Sequence, residues 1–526
     1  MSETFDVLNK RWKNACRVVF REDVGELEDY LVWLEGLNRA SMHKKSSISG
    51  KDITYAIKEY SPESKWISLD EVDFDKKYEP LNINEIKDID SLLEAVSERV
   101  YYTGNLILGN SHNIERSSNV SDSTYIHNTT MIGDSRYLAN CSFGRLNEDV
   151  FGTYGPGESS FCIRCTQTYR MKRCFELWMC QNCSDCYYCF GLSGCSECIF
   201  CFNVKSKRRC IGNLELEPSK YKKIKEKLLF EMVQELKGKK RLPSLLDIVA
   251  KCRNEQPTQK QVGEEESEKL DEGVVEREFP KTTGLVLGKK LEIMQQYSEW
   301  LERHTDRIRE GNSVISGKSL PVLPSMVAVV DLPKDRLVTT EEAQDIGRGT
   351  SFSLPEAEDL TLANAHEMIG KLAYFNVEFR EGKNTNLIKC STSIDSSNSY
   401  RTSGLVYAKY CGYTFWPRSS EHAFGCHAVF DSSFCINCYY SVKLTRCFEM
   451  DSCRNCSDCY FCHNCENLDE CMFCFNVKSK RYAVGNVEVG REEYLRLKKM
   501  VLGRIGKELE GKKDVPCDIY NLEGKK

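Results

Sequence analysis

Over long stretches the chain sets a cysteine or another small or aliphatic residue at every third position and leaves the two between them polar or aromatic. From Cys162 this pattern divides into twelve-residue segments, CIRCTQTYRMKR, CFELWMCQNCSD, CYYCFGLSGCSE and CIFCFNVKSKRR; from Cys435 it runs CINCYYSVKLTR, CFEMDSCRNCSD, CYFCHNCENLDE and CMFCFNVKSKRY. A strict short period is the mark of a solenoid. Positions one, four, seven and ten face inward, and upstream the same frame selects Ile126, Thr129, Ile132, Ser135 and Leu138, with Ser399, Thr402, Leu405 and Ala408 in the second run. The expectation is mainly β structure: short strands stacked at the ~4.8 Å strand spacing, in about eight rungs per run. Small inward residues suit so thin a core, and a free thiol there acts as a small, readily buried hydrophobe. On that view a serine hydroxyl in place of Cys186 is costly, whereas Cys16, outside the repeats, tolerates serine.

Rung position two carries a second stripe, with Phe175 and Tyr187 in one run and Phe448 and Tyr460 in the other. An outward apolar ladder needs a cover. The halves or their helices could supply it, or the stripe is a partner-binding face. Each run is followed by an amphipathic helix, with Tyr221, Ile224, Leu228, Met232 and Leu236 on one face after Pro218, and Tyr494, Leu497, Val501 and Ile505 on the other. Such a helix caps an open strand edge.

The two runs are copies. At an offset of 273, residues 159–208 and 432–481 match at 29 of 50 positions, and at an offset of 267 Tyr30, Trp33, Leu34 and Glu35 recur as Tyr297, Trp300, Leu301 and Glu302. SSISGK at 46–51 recurs as SVISGK at 313–318. The chain therefore divides into tandem twelve-residue-repeat β-solenoids, each closed by an amphipathic helix. Residues 1–113 form the helical and irregular start of copy 1, 114–217 its solenoid and 218–252 its capping helices. A charged tether at 253–285 leads to the start of copy 2 at 286–385, its solenoid at 386–490 and a capping helix and tail at 491–526.

A net charge of −5 and a pI near 6.1 give no global reason to expect nucleic acid. The start of the chain has no apolar signal-like stretch and no long apolar run follows, so a cytoplasmic protein is expected. Twenty-eight cysteines are many for a reducing compartment. Cys162/Cys165, Cys183/Cys186, Cys435/Cys438 and Cys456/Cys459 have zinc-ligand spacing, and longer runs could feed an iron–sulfur cluster. The solenoid period generates CxxC by itself, however. Cys186, Cys189, Leu192, Cys195 in copy 1 become Cys459, Cys462, Cys465, Leu468 in copy 2; a packed core tolerates a leucine that moves. Disulfides six residues apart, such as Cys174 with Cys180, could cross a rung in an oxidising setting.

Lys205, Lys207 and Arg208, echoed by Lys478, Lys480 and Arg481, form basic corners where phosphate or nucleic acid could bind. The twin SxISGK motif lacks phosphate-loop spacing and reads as a turn before a strand. His422 and His427 are expected to face solvent. No catalytic constellation emerges, so the chain reads as a non-enzyme.

The run GLSGCSECIFCFNVKSKRRCIGN, followed by a Tyr-containing charged helix, resembles the cysteine-rich repeat family of uncharacterised proteins from candidate-phylum bacteria and some archaea, often misannotated as CoA transferases. In that family a CxGCxxLRNKxYCIxN rung precedes a KEEY helix, and GKDITYAIKEYSPESKWISLDEVDFD at 50–75 is similar to its segment before the solenoid. The family usually opens with paired CxxC zinc ribbons. Here Cys16 is the only cysteine in the first 140 residues, so those zinc sites are missing. The resemblance implies architecture and no mechanism. The resulting expectation is a non-enzymatic scaffold without a cofactor, presenting solenoid surfaces to a protein or ribonucleoprotein partner. The alternatives are a zinc or iron–sulfur or thiol redox protein, and an RNA- or ribosome-associated factor.

Overall fold

The backbone turns a corner at every third residue. Arg173, Glu176, Met179, Asn182, Asp185 and Tyr188 all have φ between 50 and 56°, and the same spacing continues through both copies. Side chains other than glycine rarely enter this left-handed region. What holds them there is the neighbouring rung: each corner N–H reaches back thirteen residues, as in Asn182 N to Tyr169 O at 2.9 Å and Asn203 N to Phe190 O at 2.9 Å. The two residues between corners are extended and pair in parallel with those twelve positions on: Arg136 with Glu148, Cys162 with Cys174, Cys198 with Cys210, Cys435 with Cys447. Cys162, Cys174, Cys186 and Cys198 are each fully buried, in one column.

In this computed structural model, residues 2–36, 41–139, 148–152, 154–164, 166–253, 270–322 and 332–522 are described. Cys165 lies outside them. The chain is strand-rich with eleven α-helices among the described residues. The opening rung of each strand ladder is one residue longer than the rest, pairing Ile107 with Val120 and Phe379 with Thr392. That extra residue breaks the twelve-residue frame, so the ladders begin at Ile107 and Phe379 rather than at 114 and 386.

Four long helices pack on the ladders. Helix α1 (Glu3–Val19) starts at Ser2, whose hydroxyl accepts the N–H of Phe5, and buries Leu8, Trp12, Ala15, Cys16 and Val19. Cys16 is thus a core residue, contrary to the expectation that it tolerates change. Helix α2 (Pro218–Lys239) follows the first ladder, and α4 (Arg491–Lys512) follows the second. Between them, α3 (Gly273–Leu287) occupies the second half of the expected tether. It repeats α1 at an offset of 267: Leu8, Trp12, Val19 and Phe20 become Val275, Phe279, Val286 and Leu287, all buried. Its apolar face binds the second ladder, and that burial outweighs the charged residues on its other face.

Beyond α1 and α3 each copy forms an antiparallel hairpin, Met42–Lys45 with Asp52–Tyr55 and Arg309–Asn312 with Ser319–Val322. The SxISGK motif is the hairpin turn. Ser46 and Ser313 hydroxyls accept N–H groups within it, and Gly50 and Gly317 supply φ of 74 and 73°.

These hairpin segments do not pack on their own ladder. Ile53, Trp66 and Tyr102 share a core with Phe448, Tyr460 and Phe475 of the second ladder. Leu320, Leu337 and Phe375 share one with Phe175, Phe190 and Phe202 of the first. The polar contacts are reciprocal to the residue: Asn203 Nδ2 donates to Tyr374 O, and Asn476 Nδ2 donates to Tyr101 O, both at 2.8 Å. Each copy lends its N-terminal segment to the other.

Candidate functional site

The thiol columns come first because the sequence singled them out. A buried N–H without an acceptor is costly, and at several inward stations the side chain one rung below accepts it. The Cys180 thiol donates to Trp178 O at 3.3 Å and accepts Leu192 N–H at 3.4 Å; Cys201 donates to Ile199 O at 3.5 Å and accepts Asn213 N–H at 3.4 Å. Serine and threonine do the same at other stations. Ser432 donates to Phe430 O at 2.7 Å and accepts Leu444 N–H at 2.9 Å, and Thr402 serves Thr414 in like manner. At these stations cysteine is a hydrogen-bond relay as well as a filler. At Ser432 and Thr402 a hydroxyl makes the same pair of bonds, so at such stations the polar group expected to be costly in place of a thiol is satisfied.

Cys183 and Cys186, and Cys456 and Cys459, take inward stations, as do Cys435 and Cys438. Their thiols bond to backbone carbonyls two residues back, for example Cys183 to Gln181 O at 3.1 Å and Cys459 to Ser457 O at 3.1 Å. Burial pushes the Cys180, Cys189 and Cys447 thiols up from the ordinary thiol range. Among the described residues no group of three or more His, Cys, Asp or Glu is arranged to hold a metal ion. The neighbours of each cysteine column lie twelve residues apart, not the six a cross-rung disulfide needs, and the described cysteines are free thiols.

The apolar stripes are covered. Phe175 and Tyr187 are 0 and 2 % exposed, Phe448 and Tyr460 0 and 1 %. The cover is each copy's own helix: the Tyr187 hydroxyl donates to Val19 O, at the end of α1, and the Tyr460 hydroxyl to Val286 O in α3. These four residues present no partner face.

The basic corners are exposed but paired along the ladder. Lys207 meets Glu215 and Arg208 meets Glu197, while Lys478 meets Glu466 and Arg481 meets Asp469. Lys478 also lies 4.3 Å above the Phe74 ring, and Lys205 stays exposed. Arg173 grips Asp185 with two bonds of 2.9 and 2.6 Å, matched by Arg446 on Asp458. These pairs link neighbouring rungs and offset the charge of Lys207, Arg208, Lys478 and Arg481, while no ion pair among the described residues involves Lys205 or Lys480.

His427 is 3 % exposed, between Phe415 and Tyr440. His422 stacks on Phe434 at 4.4 Å and faces Glu278 of α3. Neither faces bulk solvent: Glu278 of α3, the helix read as tether, lies against His422, and aromatic rings enclose His427. Sequence reasoning also missed a buried polar cluster in the exchange. The His463 Nε2 accepts Thr103 N–H at 2.9 Å; its Nδ1 lies 2.7 Å from Asp451, which also accepts the Tyr60 hydroxyl at 2.5 Å. These bonds place the Nδ1 proton toward the carboxylate. In copy 1 the corresponding positions are Phe190 and Trp178, so only the second docking is polar at these two stations. The signal was a His and an Asp, twelve apart, where the other copy has aromatic rings.

Open concavities among the described residues include two of note. One of about 610 Å³ is lined by Gly273, Glu276 and Arg277 of α3 with Lys290 and Glu292. The other, about 440 Å³, runs along the second ladder past Asp395, Ser397, Lys409, Glu421 and Asp431. No helix among the described residues is long and apolar enough to cross a membrane. Comparison with family profiles, curated proteins and solved structures found no match for this chain.

Proposed function

We propose that the protein is a non-enzymatic scaffold, made of two tandem twelve-residue β-solenoids clasped by reciprocal exchange, that presents polar solenoid faces to a macromolecular partner. The supporting observation is which faces remain uncovered. Both apolar stripes lie under helices, and the lent segments cover a further side of each ladder. What stays open in copy 1 is a flat strip including Asn182, Gly194, Lys205 and Ser206, and in copy 2 one including Arg454, Asn455, Asn467, Lys478 and Ser479. Repeat folds act through such extended surfaces. Two similar strips on one chain suit a bivalent binder whose second contact is intramolecular. The cytoplasmic setting and kinship with the cysteine-rich repeat family belong to the same proposal.

Hydroxyl-radical footprinting of the full-length protein, purified and in extract of its source cells, tests this reading. Protection confined to the two strips is the expected result. Labelling identical in both states, or a substrate turned over by the purified protein, overturns it.

A further inference from the structure

One cluster carries two unmet needs side by side. Lys225 of α2 is 5 % exposed, its ammonium 5.1 Å from the centre of the Tyr187 ring and 6.0 Å from that of Tyr221. No carboxylate among the described residues forms an ion pair with it; Asp185 and Glu197 act on it only at longer range, and Arg21 opposes them. Rings stabilise a cation only partly, so the charge is poorly compensated for its burial. One helical turn away, Tyr221 is 3 % exposed, and its hydroxyl is buried without a hydrogen-bond partner.

We propose that Lys225 is a covalent acylation site for small activated acyl donors such as acyl phosphates. The neutral amine attacks the acyl carbon, the carbon–oxygen bond to phosphate breaks, phosphate leaves, and the amine's proton passes to solvent. The product amide carries no charge. Its carbonyl oxygen is an acceptor for which the Tyr221 hydroxyl, one helical turn away and without another partner, is the proposed donor, to the developing oxyanion as well as to the product. Burial draws the Lys225 amine below its ordinary basicity, so more of it is neutral at neutral pH. An amine in water is almost wholly protonated there.

The duplication provides an internal control. In copy 2, Lys498 lies 4.9 and 5.8 Å from the Tyr460 and Tyr494 rings, but it is less buried, and the Tyr494 hydroxyl already donates to Asp458 O at 3.3 Å. The same side chains are present without the two deficits.

The test is incubation of the full-length protein with acetyl phosphate, then peptide mapping by mass spectrometry. At about pH 7, acetylation at Lys225 should exceed that at Lys498 and at the exposed Lys222 and Lys223 several-fold, and the advantage should shrink near about pH 10. Tyr221→Phe should lower the Lys225 rate several-fold and leave Lys222 unchanged. Modification of Lys225 no faster than of Lys222 and Lys223 at neutral pH, or an unchanged rate in the Tyr221 variant, overturns the proposal.

Discussion

At the residue scale the interior is specified by hydrogen bonding as much as by volume. Cys180 shows why: the same sulfur fills the core and accepts the N–H of Leu192. Cys180→Val keeps the volume and loses the acceptor, so it should destabilise by about 1–3 kcal/mol, the cost of an unpaired buried amide. Cys180→Ser should lose less, because its hydroxyl can take both bonds. Urea unfolding of the two variants checks the order, and a valine variant as stable as the serine one would refute the relay. A second residue-scale expectation concerns Glu449. It is 1 % exposed, accepts Asn437 Nδ2 and Ile519 N–H, and is raised well above the ordinary carboxylate range by burial and then by Asp518. A carboxyl group raised in the folded state holds its proton longer folded than unfolded. Its contribution is therefore present at acid pH and is lost as pH rises above the unfolded carboxylate value. Glu449→Gln should shrink the drop in unfolding midpoint between about pH 4 and about pH 7, with the Asn437 amide turned over to match.

At the scale of elements, the sequence was most legible where one period governs and least where two copies had to be aligned. The twelve-residue frame correctly placed the inward column from Cys162 to Cys210 and the helix from Pro218. It missed α3, because GVVEREFP looks charged until Val275 and Phe279 are set against Leu8 and Trp12. It also missed how closely the lent segments approach the ladders. Gly212 has φ of 52°, and a Cβ there would lie 2.3 Å from the Phe352 ring; Gly485, with φ of 53°, would meet Val96 at 2.5 Å. Neither neighbour is in the same copy. Gly212→Ala should destabilise by about 1–3 kcal/mol through overpacking, while Gly194→Ala, 3.8 Å from its nearest neighbour, Ser206 Oγ, and at a similar φ of 64°, isolates the backbone share. Unfolding midpoints of the pair measure the difference.

At the scale of the molecule, reciprocal exchange makes the halves interdependent. Cutting the chain at a protease site placed within 254–269 should leave the two fragments bound, since Tyr102, Trp66 and Phe375 remain seated in the opposite core. Gel filtration of the nicked protein should show a single species of unchanged size, and separation of the fragments in native buffer would contradict the exchange.

The sequence by itself determined what repeats locally: the period, the inward small residues, the helix after each ladder and the duplication. Those follow from backbone geometry and side-chain size within a dozen residues. Only the tertiary structure decided which copy's hairpin lies on which ladder. Asn203 and Asn476 occur in identical CFNVKSKR runs, and either could have received the carbonyl of its own copy or of the other. The choice rests on how far the segments after α1 and α3 can travel and on which apolar surface they reach first. Spacing along one chain does not encode that distance.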